Sequence, residues 1–195
     1  MCIRDSIIGI EGTVSLRINL YEEEELNLLE DLYSLEQKVS YQTREAVYEE
    51  LLLQNQSKCK IVENLSLPEL KDDVLQICHS SGSVQIEHVE TRAEKQGGIL
   101  IEGILHVSFL YLKADDALPF GNWQGMVPFS YLLECPDMPK DVRYQLSNRV
   151  EQISVTMTGS DSVEVKAVLD FDVFLRKEVP MQVITEAVSY THLRA

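Results

Sequence analysis

Between Val163 and Leu175 every second residue is apolar. Val163, Val165, Ala167, Leu169, Phe171, Val173 and Leu175 share one phase, and mostly polar residues hold the other. A repeat of two puts side chains on opposite faces of an extended chain, so this stretch reads as a strand with one face in a core. A helix would scatter the same residues around its axis. Gly12 to Leu20 alternates in the same way. Val14, Leu16, Ile18 and Leu20 oppose Thr13, Ser15, Arg17 and Asn19. From Val150 to Thr158, Ile153, Val155 and Met157 oppose Ser154, Thr156 and Thr158. Ile101 to Tyr111 places Leu105, Val107 and Phe109 on one face. Its other face mixes Glu102 and His106 with Ile104 and Leu110, which predicts burial on both sides.

Turn chemistry separates these runs at Ser80-Ser81-Gly82-Ser83, Gly97-Gly98, Pro136-Asp137-Met138-Pro139 and Gly159-Ser160-Asp161. Several short strands with such punctuation predict a mostly β fold, an antiparallel β-sandwich or barrel-like domain. One short helix is expected near the N-terminus. In Glu22 to Ser34, Leu26, Leu29, Leu32 and Tyr33 follow the three-and-four spacing of a helical face. Glu22 to Glu25 would then occupy the first turn, where negative charge suits the helix dipole. The acidic run reads as a solvated helix start, with a docking patch for a basic partner as the sharper reading.

The 45 % apolar content supports a sizeable core. The formal net charge of -15 argues against nucleic acid, whose binding rests on Lys and Arg neutralising phosphates. It also disfavours anionic membrane surfaces. No run approaches the ~20 apolar residues that cross a bilayer, and Met1 to Ile10 lacks the apolar centre of a signal peptide. Outside the first residues, Cys59, Cys78 and Cys135 are odd in number and widely spaced, which predicts reduced thiols and an intracellular compartment.

Both ends read as foreign. Residues 1–6 and 188–195 resemble translated sequencing-adapter read-through on assembled environmental sequence, so the chain is expected to be a fragment. Within it the sequence partly repeats. Ile10-Glu11-Gly12-Thr13-Val14-Ser15-Leu16-Arg17-Ile18 parallels Val163-Glu164-Val165-Lys166-Ala167-Val168-Leu169-Asp170-Phe171, and Glu45-Ala46-Val47 parallels Glu186-Ala187-Val188. The phase agreement implies a unit of roughly 140 residues. The expected division is a last strand of a preceding unit at 7–21, a helical linker at 22–34, a complete β domain at 35–178 and the start of a next unit at 179–187.

No catalytic set emerges. The chain lacks a Gly-x-Ser-x-Gly elbow and both phosphate-cradling glycine patterns. The acidic pairs Asp72-Asp73 and Asp115-Asp116 read as solvated turns. Cys59, Cys78, His79 and His88 do not have the spacing of a structural zinc site. No cofactor or metal is expected. The most distinctive stretch is Leu118 to Ser130, with the only Trp, two Phe and two Gly. It reads as a long hairpin loop whose aromatics cap the core. Its functional reading is an exposed aromatic anchor for a protein partner, carried by Phe120, Trp123, Met126 and Phe129.

Several segments together resemble the SPOCS domain family. They are Leu51 to Lys60, Val74 to Gly82, Ile101 to Leu105, Gly125 to Ser130 and Val163 to Leu169. Tyr21 to Leu26 and Leu29 to Ser34 resemble the link between the first and second such domains. The family occurs in spore-forming Firmicutes, in SipL-type coat and exosporium assembly proteins. The resemblance implies a tandem β-rich domain, often followed by a LysM module that binds the stage IV morphogenetic ATPase. This chain has no LysM module, so ATPase binding would run through a part that is missing here. The role implied by the resemblance is a non-enzymatic spore-envelope assembly module in the mother-cell cytoplasm, at the forespore or coat surface. Its partners would be spore morphogenetic proteins. The alternative is a small-molecule or glycan-binding β module, favoured if Trp123 lines a concave pocket with convergent polar groups.

Overall fold

The chain forms six strands, three of them at the alternating segments 101–111, 150–158 and 163–175. A computed structural model describes residues 9–190, apart from 10, 17, 19, 21, 23, 72, 73, 94–96, 116 and 137. The expected foreign end at 1–6, the 191–195 portion of the one expected at 188–195, and the acidic residues Asp72, Asp73 and Asp116 therefore lie outside the described residues. The strands are β1 (Lys38–Ser66), β2 (Val74–Arg92), β3 (Gly98–Lys113), β4 (Phe120–Glu134), β5 (Arg143–Met157) and β6 (Ser162–Tyr190), with a 3-10 turn at Pro68–Leu70. They form two three-stranded sheets, ordered β1-β6-β5 and β2-β3-β4. The mostly β antiparallel expectation holds in open-sheet form, and no barrel closes among the described residues.

The chain divides into two compact units. Glu45–Gln182 is one, and residues up to Arg44 join those from Val183 in the other. In the larger unit the inner faces of both sheets share one core. On β3 that face is Ile99, Ile101, Leu105, Val107, Phe109 and Tyr111, and on β6 it is Val163, Val165, Ala167, Leu169, Phe171, Val173 and Leu175. Rings from β4 cross the interior. Tyr131 stacks on Phe171 with centroids 5.6 Å apart, and Phe129 tilts against it at 6.1 Å. Ser162 closes the β5–β6 hairpin by accepting the amide of Thr158 at 2.9 Å. The amide of Cys135 donates to the carbonyl of Gly97 at 2.8 Å, sealing the open end of the β3–β4 pair.

In the smaller unit, Ile184 donates its amide to the carbonyl of Leu29, and the Thr185 hydroxyl reaches the carbonyl of Gln42. The Ser34 hydroxyl oxygen accepts the amides of Glu36 and Gln37, a local turn just before β1.

The structure corrects several expectations. The helix at Glu22 to Ser34 is absent, since the described residues there have no regular structure. Leu26, Leu29 and Tyr33 stay exposed, so no apolar face is buried to offset the entropy of ordering a helix this short. Residues 11–20 form no strand where described, and Val14, Leu16, Ile18 and Leu20 face solvent. Alternation makes a strand possible, and a paired neighbour makes it form. Ser80 to Ser83 is no turn but the middle of β2. A Cβ at Gly82 would come within 2.7 Å of the Ile153 side chain, so the small residues there let β5 approach. Finally, β3 is buried on one face only, its other face being half-buried or exposed.

Candidate functional site

The stretch Leu118 to Ser130 is strand rather than loop from Phe120 onward. β4 pairs with β3 without a break, Trp123 lying opposite Phe109 and Val127 opposite Leu105. Its glycines and Pro128 lower strand propensity, and the pairing with the core strand β3 overrides them. Pro128 sits on the edge strand β4, where no ladder bond from its nitrogen is required.

Strand alternation splits the four predicted contact residues. Phe120 and Met126 point outward and are 60 % and 64 % exposed. Trp123 and Phe129 point inward and pack against the core. The Trp123 ring stacks on Phe109, with centroids 5.1 Å apart, and its Nε1 donates to Glu69 Oε1 at 3.1 Å. Glu69 lies in the 3-10 turn, where Leu67 and Leu70 are buried. Trp123 thus ties that turn to the sheet. On the outer face Phe120 lies opposite Leu112, Met126 opposite His106 and Leu132 opposite Leu100. With the exposed Leu110, the apolar members of these pairs form separate patches on that face, interrupted by the polar pairs Ser108–Gln124 and Glu102–Ser130.

The second site lies on the outer face of the β1-β6-β5 sheet. Asp170 faces away from the core by the alternation of β6, yet it is only 3 % exposed. Arg149 lies directly opposite on β5. Its Nε and Nη2 donate to Asp170 Oδ2 at 2.8 and 2.5 Å, and Gln56 Nε2 on β1 donates to the same oxygen at 2.8 Å. Three donors on one oxygen favour the charged form. The Gln56 bond is the largest influence and holds the carboxyl below its ordinary value. Burial pushes the other way, and the bond and charge of Arg149, with the charge of Lys58, add to the lowering. Asp170 Oδ1 is buried with no hydrogen-bond partner. Gln56, Ser147, Asn148, Arg149, Asp170 and Asp172 line a pocket of about 260 Å³ here. Trp123 is not among its lining residues.

Sequence reasoning missed this cluster. The one available signal was a charge in the middle of the most regular apolar strand. Reading it required the strand order, which places Gln56 and Arg149 on either side. Among the described residues no three His, Cys, Asp or Glu side chains group as metal ligands. Burial raises the thiol pKa of Cys59 and Cys135, while Cys78 is exposed. No helix among the described residues is long and apolar enough to cross a membrane.

Comparison with known proteins gives one family. Residues 73–158 match the family described as SipL, SPOCS domain. That stretch holds the whole β2-β3-β4 sheet and β5, and so includes Trp123 and Arg149. No curated protein and no solved structure matches the chain. Over residues 73–158 the chain is therefore similar to the SPOCS domain of SipL.

Proposed function

We propose that this chain is a sporulation-related, non-enzymatic assembly module of the spore envelope, acting through protein–protein contacts. The observation that carries this reading is the SPOCS match over residues 73–158. Two features support it. The outer face of β3 and β4 presents Phe120 and Met126, residue types enriched at interfaces, with Leu132 on the same face. Trp123 is spent on packing against Phe109 and bonding Glu69, which leaves the ligand-binding alternative without its aromatic platform.

The partners in this reading are spore morphogenetic proteins. The stage IV ATPase would be reached through a LysM module that this chain does not contain. The site of action is the mother-cell side of the forespore surface. A fluorescent fusion of the complete parent gene, followed in sporulating cells, tests it. A signal that gathers on the forespore is the expected result. Diffuse fluorescence throughout sporulation, with normal coats in a deletion strain, would refute it.

A further inference from the structure

We propose that copies of this chain join by strand addition, the segment around Leu16 of one copy pairing with the free edge of β1 in another. The inference follows from strand edges and does not rest on the spore-envelope reading.

The donor is a strand pattern without a partner. Val14, Leu16, Ile18 and Leu20 alternate with polar residues in the sequence and are 78 to 91 % exposed. The run parallels Val163 to Phe171, the half of β6 that buries the same phase in the core. In this fold a strand of that kind lies beside β1, since β6 is the neighbour of β1 in its sheet.

The acceptor emerges from a comparison of edges. The two sheets end on β1 and β5, and on β2 and β4. β2 and β5 cover each other. The Ser80 hydroxyl donates to the Ile153 carbonyl at 3.5 Å, and a Cβ on Gly82 would strike the Ile153 side chain. β4 carries Gly121, Gly125 and Pro128, residues that weaken or block a further ladder. β1 has no such guard. It runs for 29 residues without Pro or Gly, and Leu51 to Ser57 holds no charge. On the side away from β6 its backbone pairs with no strand among the described residues. An open row of amides and carbonyls is a template for another strand. Leu51 is exposed there and Leu52 and Leu53 are half-buried, so apolar side chains flank the place a donor would take. Donor and acceptor are different surfaces, so the contact is head-to-tail and passes from copy to copy unless a ring closes.

Sedimentation velocity of the full chain at rising concentration tests this. Species above monomer mass that grow with concentration are expected. Leu16→Pro lies at an exposed position outside regular structure, so the fold is kept while the donor loses an amide and its strand geometry. This variant should be monomeric. A fluorescent peptide of residues 11–22 should then bind the Leu16→Pro chain saturably, and a scrambled peptide should not. Hydrogen exchange with and without the peptide locates the contact, and slower exchange within Leu51 to Ser57 is the expected result. A wild-type chain that stays monomeric, unchanged association in Leu16→Pro, no peptide binding, or protection on β4 instead of β1 would overturn the proposal.

Discussion

Phe109 and Phe171 are the largest fully buried side chains, one in each sheet. Each holds other rings in place, Phe109 stacking with Trp123 and Phe171 with Tyr131. Replacing either by Ala removes a large apolar volume from a core that cannot collapse around it. The expected loss is about 3–5 kcal/mol, read from urea or thermal unfolding. Asp170 predicts a pH effect of defined sign. Its folded pKa lies below the ordinary 3.8, so its stabilising contribution is complete above the unfolded value. It fades as pH falls through the lower folded value. In Asp170→Asn the acid limb of the stability–pH curve should therefore be shallower than in the wild type. Both phenylalanines were legible in the sequence because phase alone assigns an inward residue. Asp170 was not, because its burial comes from Gln56 and Arg149, which lie far from it along the chain.

At the scale of the strand, bulges explain what a strict period of two missed. The inward residues of β2 are Val74, Ile77, Val84, Ile86 and Val89, whose phase changes where the pairing with β3 shifts, at 75, 78 and 87. No single alternation fits them, and β2 was correspondingly faint in the sequence. β5 has one shift, between Val150 and Gln152. It leaves Glu151 as the extra residue and puts Leu146 and Val150 in phase with Ile153, Val155 and Met157. Deleting Glu151 would restore an unbroken alternation and match the two halves of the β5–β6 register. Cooperative unfolding should survive, with a loss near the ~1 kcal/mol ceiling of the exposed Lys58 pair plus any gain or loss of local twist. Deleting Ser154 instead moves Ile153 or its neighbours to the wrong face, and cooperative unfolding should disappear. Circular dichroism during denaturation separates the two variants.

For the molecule as a whole, hydrogen bonding and burial are unevenly distributed. Glu45–Gln182 holds β2 to β5, most of β1 and β6 and nearly all of the core, while Glu24, Glu25 and Glu30 are exposed and outside regular structure. Brief digestion with a glutamate-specific protease should cut at these sites first and leave a resistant fragment that contains Glu45–Gln182. Early cleavage between Gly98 and Met157, seen by mass spectrometry, would contradict this. The alternating run at Gly12 to Leu20 shows how far pattern reaches at this scale. It states which face a strand would bury and says nothing about whether a neighbour is there to pair with it. The family was legible through several short segments in order. The strand order was not, because no local pattern records that β6 lies between β1 and β5.

The contact between Trp123 and the Phe109 ring also gives the protein its own optical reporter. The chain has one Trp, so intrinsic fluorescence excited at its absorption edge comes from a single place. That indole bonds Glu69 in the 3-10 turn and stacks on the central strand of its sheet. Its emission colour reports hydration of that corner, and its anisotropy reports how tightly the corner is held. A partner settling on the Phe120 and Met126 side of the same strand can be followed without attaching a dye, through a label already written into β4.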